Sequence, residues 1–148
     1  PQALGGDVPL EPTVEAQPSD TQIRRDPIGE KMEIFKTFTF DAAHRLPMVP
    51  KTHGCSGIHG HTYSVTVLLS GDVDRERGWV MDFKVLSSAC APLMERLDHS
   101  FLNEIPGLEN PTSENLAIWL WDRLSPELPL LSMVEVRETP SSGCRYSG

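Results

Sequence analysis

The chain predicts an α+β domain with elements in the order ββααββ, and three observations carry that prediction. Residues 33–43 and 59–70 alternate apolar and polar side chains with the period of a strand. Two later segments repeat apolar residues at the 3.6-residue spacing of a helix. Residues 132–139 and 144–147 then return to alternation, and two helices between two pairs of strands suggest a layer covering one face of an antiparallel sheet.

In the first strand Ile34, Phe38, Phe40, Ala42 and His44 share one parity, which puts His44 at or just past its end. Residues 45–58 carry two prolines, two glycines and little periodicity, and a connection of this length is more often functional than merely connecting. The second strand sets His59, His61, Tyr63, Val65, Val67 and Leu69 on one face before a turn at Gly71-Asp72. Asp82 is positioned to cap a helix with Leu86, Ala89, Cys90, Leu93, Met94 and Leu97 in period, which Pro92 is expected to kink or shorten. In the second helix Thr112 or Ser113 caps a stripe of Leu116, Trp119, Leu120 and Leu124, ended by Pro126. Val134, Val136 and Glu138 share a face of the next strand.

Residues 1–30 differ in composition from residues 31–148, which form the expected single domain. They hold six acids against two arginines and no aromatic residue, the composition of a disordered extension that buries too little to offset its ordering entropy. Without a basic start or an apolar run they read as neither secretory signal nor membrane anchor. The chain's net charge is −8, of which this segment supplies −4, and no basic stripe recommends nucleic acid as a partner. Three scattered cysteines, Cys55, Cys90 and Cys144, make no disulfide framework and fit a reducing cytoplasm.

Four of the five histidines fall within residues 44–61. Residues two apart on a strand project the same way, roughly 6.5 Å apart at Cα, so the rings of His59 and His61 can converge on one ion. Antiparallel pairing of the first two strands brings His44 to the same end. Three histidines around zinc leave a position open, as catalytic sites do. His53, on a glycine-containing loop without parity to the pair, reads as a solvated loop residue.

Cys55 has three readings: fourth ligand, thiolate base, or small buried hydrophobe. Cys90 and Cys144 read as packing residues. Asp98 directly precedes His99 where the first helix runs out. A neighbouring carboxylate fixes an imidazole's tautomer, and a helix C-terminus also attracts histidine for structural reasons alone. Glu138 ends an apolar strand face, which suggests a bound partner or fraying; a carboxylate there is able to accept two parallel hydrogen bonds from a guanidine-like group.

Five motifs occur in unbroken order across residues 32–148: Phe40-Asp-Ala-Ala-His44-Arg-Leu-Pro, Cys55-x-x-x-His59-Gly-His61, Leu97-Asp98-His99, Asn110-Pro-Thr-Ser-Glu-Asn, and Glu138-Thr with Gly143-Cys-x-Tyr. Together they resemble the 6-carboxy-5,6,7,8-tetrahydropterin synthases, within the 6-pyruvoyltetrahydropterin synthase superfamily. The resemblance implies zinc on His44, His59 and His61, proton transfer by Cys55 and by an Asp98–His99 relay, and a pterin anchored by Glu138. Thr112 is an added contact in that scheme, compatible with plain capping. Arg45 and Lys51 are weak candidates for the triphosphate. The implied reaction converts 7,8-dihydroneopterin triphosphate to 6-carboxytetrahydropterin with loss of triphosphate and acetaldehyde, on the route to queuosine and other 7-deazapurines.

The same resemblance implies a tunnelling fold in which subunits join sheets into an oligomeric barrel, a homohexamer of two trimers. The pocket then lies between subunits, and zinc and Glu138 can come from different chains. One departure is visible, since relatives usually carry cysteine after Glu-Thr where this chain has Pro140, and a proline there alters the turn that places Glu138. Two competing readings are the 6-pyruvoyltetrahydropterin synthase reaction, which keeps the three-carbon side chain, and a non-catalytic zinc-stabilised assembly domain with Cys55 closing the site. A zinc hydrolase lacks the carboxylate base that helical zinc proteases carry within their histidine motif.

Overall fold

The computed structural model describes residues 29–148; the expectation for the N-terminal extension falls on residues outside this range, apart from its last two positions. Five strands and two helices follow in order: β1 (Lys31–His44), β2 (His59–Asp72), α1 (Phe83–Leu97), β3 (Ser100–Phe101), α2 (Ser113–Leu124), β4 (Leu131–Thr139) and β5 (Ser142–Tyr146). The strands form one sheet in the order β3-β1-β2-β4-β5.

The antiparallel β1–β2 ladder runs unbroken from Lys31↔Asp72 to His44↔His59. Its register is fixed by the apolar faces, because a one-residue slip would turn every buried side chain to solvent. Phe40 and Ala42 of β1 and Tyr63, Val65, Val67 and Leu69 of β2 lie in the core. Leu86, Cys90 and Leu97 of α1 and Leu116, Ala117, Trp119, Leu120 and Leu124 of α2 complete it from above. Each fully buried leucine contributes roughly 2 kcal/mol of transfer free energy. The helix starts are capped as the sequence predicts: Lys84 N–H donates to Asp82 Oδ1 at 2.8 Å and Asn115 N–H to Thr112 Oγ1 at 3.2 Å.

The structure amends the sequence reading twice. The sheet is mixed, because the two-residue β3 pairs parallel to β1 through Ala42↔Ser100 and Ala43↔Phe101. Pro92 does not shorten α1, which continues five residues beyond it. Pro92 and Ser88, whose carbonyl loses its helical donor, are both exposed, so water can satisfy the freed acceptor.

At the other edge, β4 and β5 change register between Arg137 and Thr139, which leaves Glu138 at a bulge. A bulge bends a strand and re-aims its extra side chain. Gly143 is required on the opposite side of this hairpin, where any Cβ would collide with the carbonyl of Val136.

Candidate active site

The β1–β2 register places Ala42 opposite His61 and His44 opposite His59, so the three predicted histidines meet at one end of the helix-covered face. One potential ligand atom from each lies within 4.8 Å of the others. Ring centroids are 4.5 Å apart for His44–His59, 5.1 Å for His44–His61 and 5.0 Å for His59–His61.

Hydrogen bonding fixes two of the tautomers. His44 Nδ1 lies 2.9 Å from the carbonyl of Pro111, and His59 Nδ1 lies 2.9 Å from that of Gly57. A carbonyl only accepts, so each Nδ1 carries the proton and, in a neutral ring, Nε2 holds a bare lone pair. These two Nε2 atoms face each other at 3.0 Å. Two lone pairs at that distance repel, and only a shared proton or a cation makes the contact favourable. The donor set therefore fits a metal ion, with Pro111 and Gly57 orienting the rings as outer partners of metal-bound histidines do.

His44 is only 1% exposed. Burial is the largest influence and lowers its pKa; the Pro111 carbonyl opposes that shift, His59 adds to it, Glu138 opposes it and His61 adds a smaller push downward. The net result favours the neutral, metal-binding form.

Cys55 is half-buried in a short 3-10 turn, Gly54–Ser56, whose N-cap is His53. His53 Nδ1 accepts the Cys55 N–H at 3.1 Å, and the Cys55 carbonyl accepts Leu46 N–H at 2.8 Å, so both ends of the loop hold this residue's backbone. His53 thus has a local structural task. The cluster of converging ligand atoms contains neither His53 nor Cys55, which favours the readings of Cys55 that keep it off the metal. Cys90 is fully buried and its pKa is pushed up to about 11 by desolvation; burial also raises that of Cys144. Both behave as packing residues.

Asp98 and His99 form a pair at 2.9 Å between Oδ2 and Nδ1. Asp98 Oδ1 accepts the N–H of Asp41 at 2.9 Å, while His99 N–H donates to the Asp41 carbonyl at 2.6 Å, which clamps the pair to the edge of β1. The Asp41 bond first, and His99 second, hold the Asp98 carboxyl below the usual carboxylate range. His99 adopts φ 55°, a left-handed conformation that non-glycine residues seldom take and that the surrounding contacts must sustain. His99 lines a depression of about 500 Å³ at the edge of β1 together with Asp41, Gly60, Thr62 and His61 of the histidine cluster. Among the described residues no hydrogen bond or ion pair links Asp98 or His99 to Cys55 or to the three clustered histidines.

Glu138 shares the core face of β4 with Val134 and Val136, one rung beyond the last β2–β4 pair at Ser64↔Arg137. Its charge acts on His44 and Tyr63 of the same chain, so carboxylate and histidines face one space within a single subunit. Thr112 caps α2, and the preceding Pro111 supplies the carbonyl that orients His44. Arg45 is held through its backbone by Asn103, which donates to its carbonyl at 2.8 Å and accepts its N–H at 2.9 Å. Sequence reasoning missed Pro111, because a backbone carbonyl leaves no trace in residue type.

Fold and site together define an α+β protein with three histidines able to hold a metal ion at one end of its sheet. Residues 33–148 match the family model described as 6-pyruvoyl tetrahydropterin synthase, and the chain belongs to that family. It is 42% identical over 119 residues to a 6-carboxy-5,6,7,8-tetrahydropterin synthase of Synechocystis, with 76% of this chain and 91% of the relative covered. It is 37% identical to a dihydroneopterin monophosphate aldolase of Pyrococcus furiosus, over 67% of this chain and 80% of the relative. The 6-pyruvoyl tetrahydropterin synthase of Caenorhabditis elegans superposes with a TM-score of 0.76 at 27% identity, covering 82% of this chain and 98% of that one.

Proposed function

We propose that the chain is a zinc-dependent lyase that converts 7,8-dihydroneopterin triphosphate to 6-carboxy-5,6,7,8-tetrahydropterin, releasing acetaldehyde and triphosphate. The observation that carries this reading is the convergence of His44, His59 and His61, with ligand atoms within 4.8 Å, beside Glu138 on one sheet face. Its specificity comes from the likeness to the Synechocystis synthase.

In this reading Glu138 accepts two parallel hydrogen bonds from the pterin's 2-amino group and adjacent ring nitrogen, and Thr112 adds a contact at the α2 entry. His44, His59 and His61 hold the zinc, which when bound acts as a Lewis acid on the side-chain hydroxyls of the substrate. Cys55 and His99 transfer protons, with Asp98 fixing the His99 tautomer. Two such groups are needed because the reaction removes side-chain protons and delivers one to the ring.

The open edge of β1, where β3 pairs only Ala42 and Ala43, supports a pocket completed by a second subunit. Unpaired strand edges favour sheet joining, here into a homohexameric barrel of two trimers. The product would feed 7-deazapurine and queuosine synthesis in the cytoplasm.

Incubation of the zinc-loaded protein with 7,8-dihydroneopterin triphosphate tests the assignment. Acetaldehyde and 6-carboxytetrahydropterin are expected. Pyruvoyltetrahydropterin without acetaldehyde, or turnover of dihydroneopterin monophosphate alone, would replace it with the activity of another relative.

A further inference from the structure

Tyr63 lies beneath the histidine cluster, and its hydroxyl is one of two buried side-chain polar atoms without a hydrogen-bond partner among the described residues. The residue is 0% exposed. Its ring stacks on Phe40 at 4.9 Å with a 10° interplanar angle, and packs edge-on against His61 at 5.6 Å and His44 at 5.9 Å. These contacts lock the ring and leave the hydroxyl no freedom to seek water.

Leaving a buried hydroxyl unpaired costs on the order of 1–3 kcal/mol, and phenylalanine in the same place would avoid that cost. The hydroxyl is therefore maintained against stability, as groups serving a ligand-occupied state are. Continuing the β2–β4 register one step past its last pair, Ser64↔Arg137, sets Glu138 opposite Tyr63 on the shared face, with the carboxylate outside hydrogen-bond distance of the hydroxyl. Directly opposed cross-strand residues have Cβ atoms about 5 Å apart. A phenol O–H is protonated at neutral pH and is available as a donor.

Carboxylate geometry supplies the connection. Two oxygens offer about four lone-pair positions, and a planar donor pair such as the one assigned to the pterin takes only two of them. A third donor can grip the carboxylate from behind without competing. We propose that Tyr63 is a positioning residue whose O–H donates to the Glu138 carboxylate in the occupied site and aims its free edge at the bound ring. This rests on the reading of Glu138 as the pterin anchor. Tyr63 touches no reacting atom in this role.

The test is a double-mutant cycle on the zinc-loaded protein, with Tyr63→Phe, Glu138→Gln and the double variant, using 7,8-dihydroneopterin as the calorimetric probe. Tyr63→Phe should weaken binding about tenfold, as expected for a hydrogen bond to a charged group, while ligand-free thermal stability stays equal or rises. In the Glu138→Gln background the same substitution should have at most a twofold further effect. Equal binding by Tyr63→Phe and wild type, additive effects, or a lowered melting temperature of ligand-free Tyr63→Phe would each overturn the positioning role while leaving the anchor intact. If wild type binds no pterin, or Glu138→Gln binds as well as wild type, the functional reading fails and the inference falls with it.

Discussion

The same pair of strands carries two clusters of ionisable groups built on opposite rules. On the helix-covered side His44 is buried, its ring is locked by the Pro111 carbonyl, and desolvation keeps it neutral. At the outward edge Asp98 and His99 are exposed, joined to each other, and held by the backbone of Asp41. Burial of His44 favours a neutral ring whose lone pair can go to a cation, whereas the His99 ring is exposed and oriented by its carboxylate partner. The difference teaches that one ladder can hold a buried set of rings able to bind a cation and, at its edge, an exposed carboxylate–imidazole pair that borders the same depression as His61.

The largest expected effect tests the inward cluster. His59→Ala should lose stoichiometric zinc, measured by atomic absorption, and lower turnover roughly 10³-fold or more, since the metal's contribution amounts to several kcal/mol. His99→Ala should keep its zinc and still lose about 10²-fold or more in turnover, the scale of a general acid–base group. Mixing these two inactive variants, after dissociation and reassembly, should restore activity if the clusters from different subunits meet in one pocket. No recovery would place both clusters in service of one chain's own site and break the comparison.

Cys55→Ala sharpens the same contrast at smaller cost to the metal. With the thiol as the proposed proton-transfer group outside the coordination shell, zinc content should remain stoichiometric while turnover falls about 10²-fold. Loss of zinc with the thiol would instead favour a structural metal site.

The smallest effect is in acid. The folded pKa of Asp98 is depressed, so the stability it contributes is present above the ordinary carboxylate value of about 4 and is lost as pH falls through the lower folded value. The urea midpoint of Asp98→Asn should therefore lie below that of wild type at pH about 7 and converge with it as the pH falls through the lowered folded value. A constant gap would assign the difference to packing.

Much of this arrangement was legible because it rests on short periods. Strand parity put His44, His59 and His61 on one face, and the ladder from Lys31↔Asp72 to His44↔His59 needs nothing else. Helix caps at Asp82 and Thr112 followed from residue type and position. The short β3 was not legible, since two residues carry no period and its partner is some sixty residues away in sequence. Leu102, Ile105 and Leu108 are buried three residues apart in the segment between α1 and α2, where Pro106 and Gly107 keep that spacing from reading as a helix. Adjacency showed Asp98 beside His99, but which edge the pair would occupy depends on its bonds to Asp41. The sheet bulge at Glu138 and the unpartnered hydroxyl of Tyr63 are properties of neighbours across strands, and a single sequence does not display them.

The hairpin formed by β1 and β2 also has a bearing on the order of folding events. His44 and His59 are separated by a loop short enough that its closure is entropically cheap, and the three ligands need only these two strands to assemble. A growing polypeptide therefore completes its metal-binding residues well before it has made β4. Ion capture at that moment would act as an early staple on the nucleus, whereas the rung that brings Glu138 beside Tyr63 must wait for the C-terminal third of the chain. On the proposed reading the chain thus completes its cation-binding residues first and its pterin-anchoring carboxylate last.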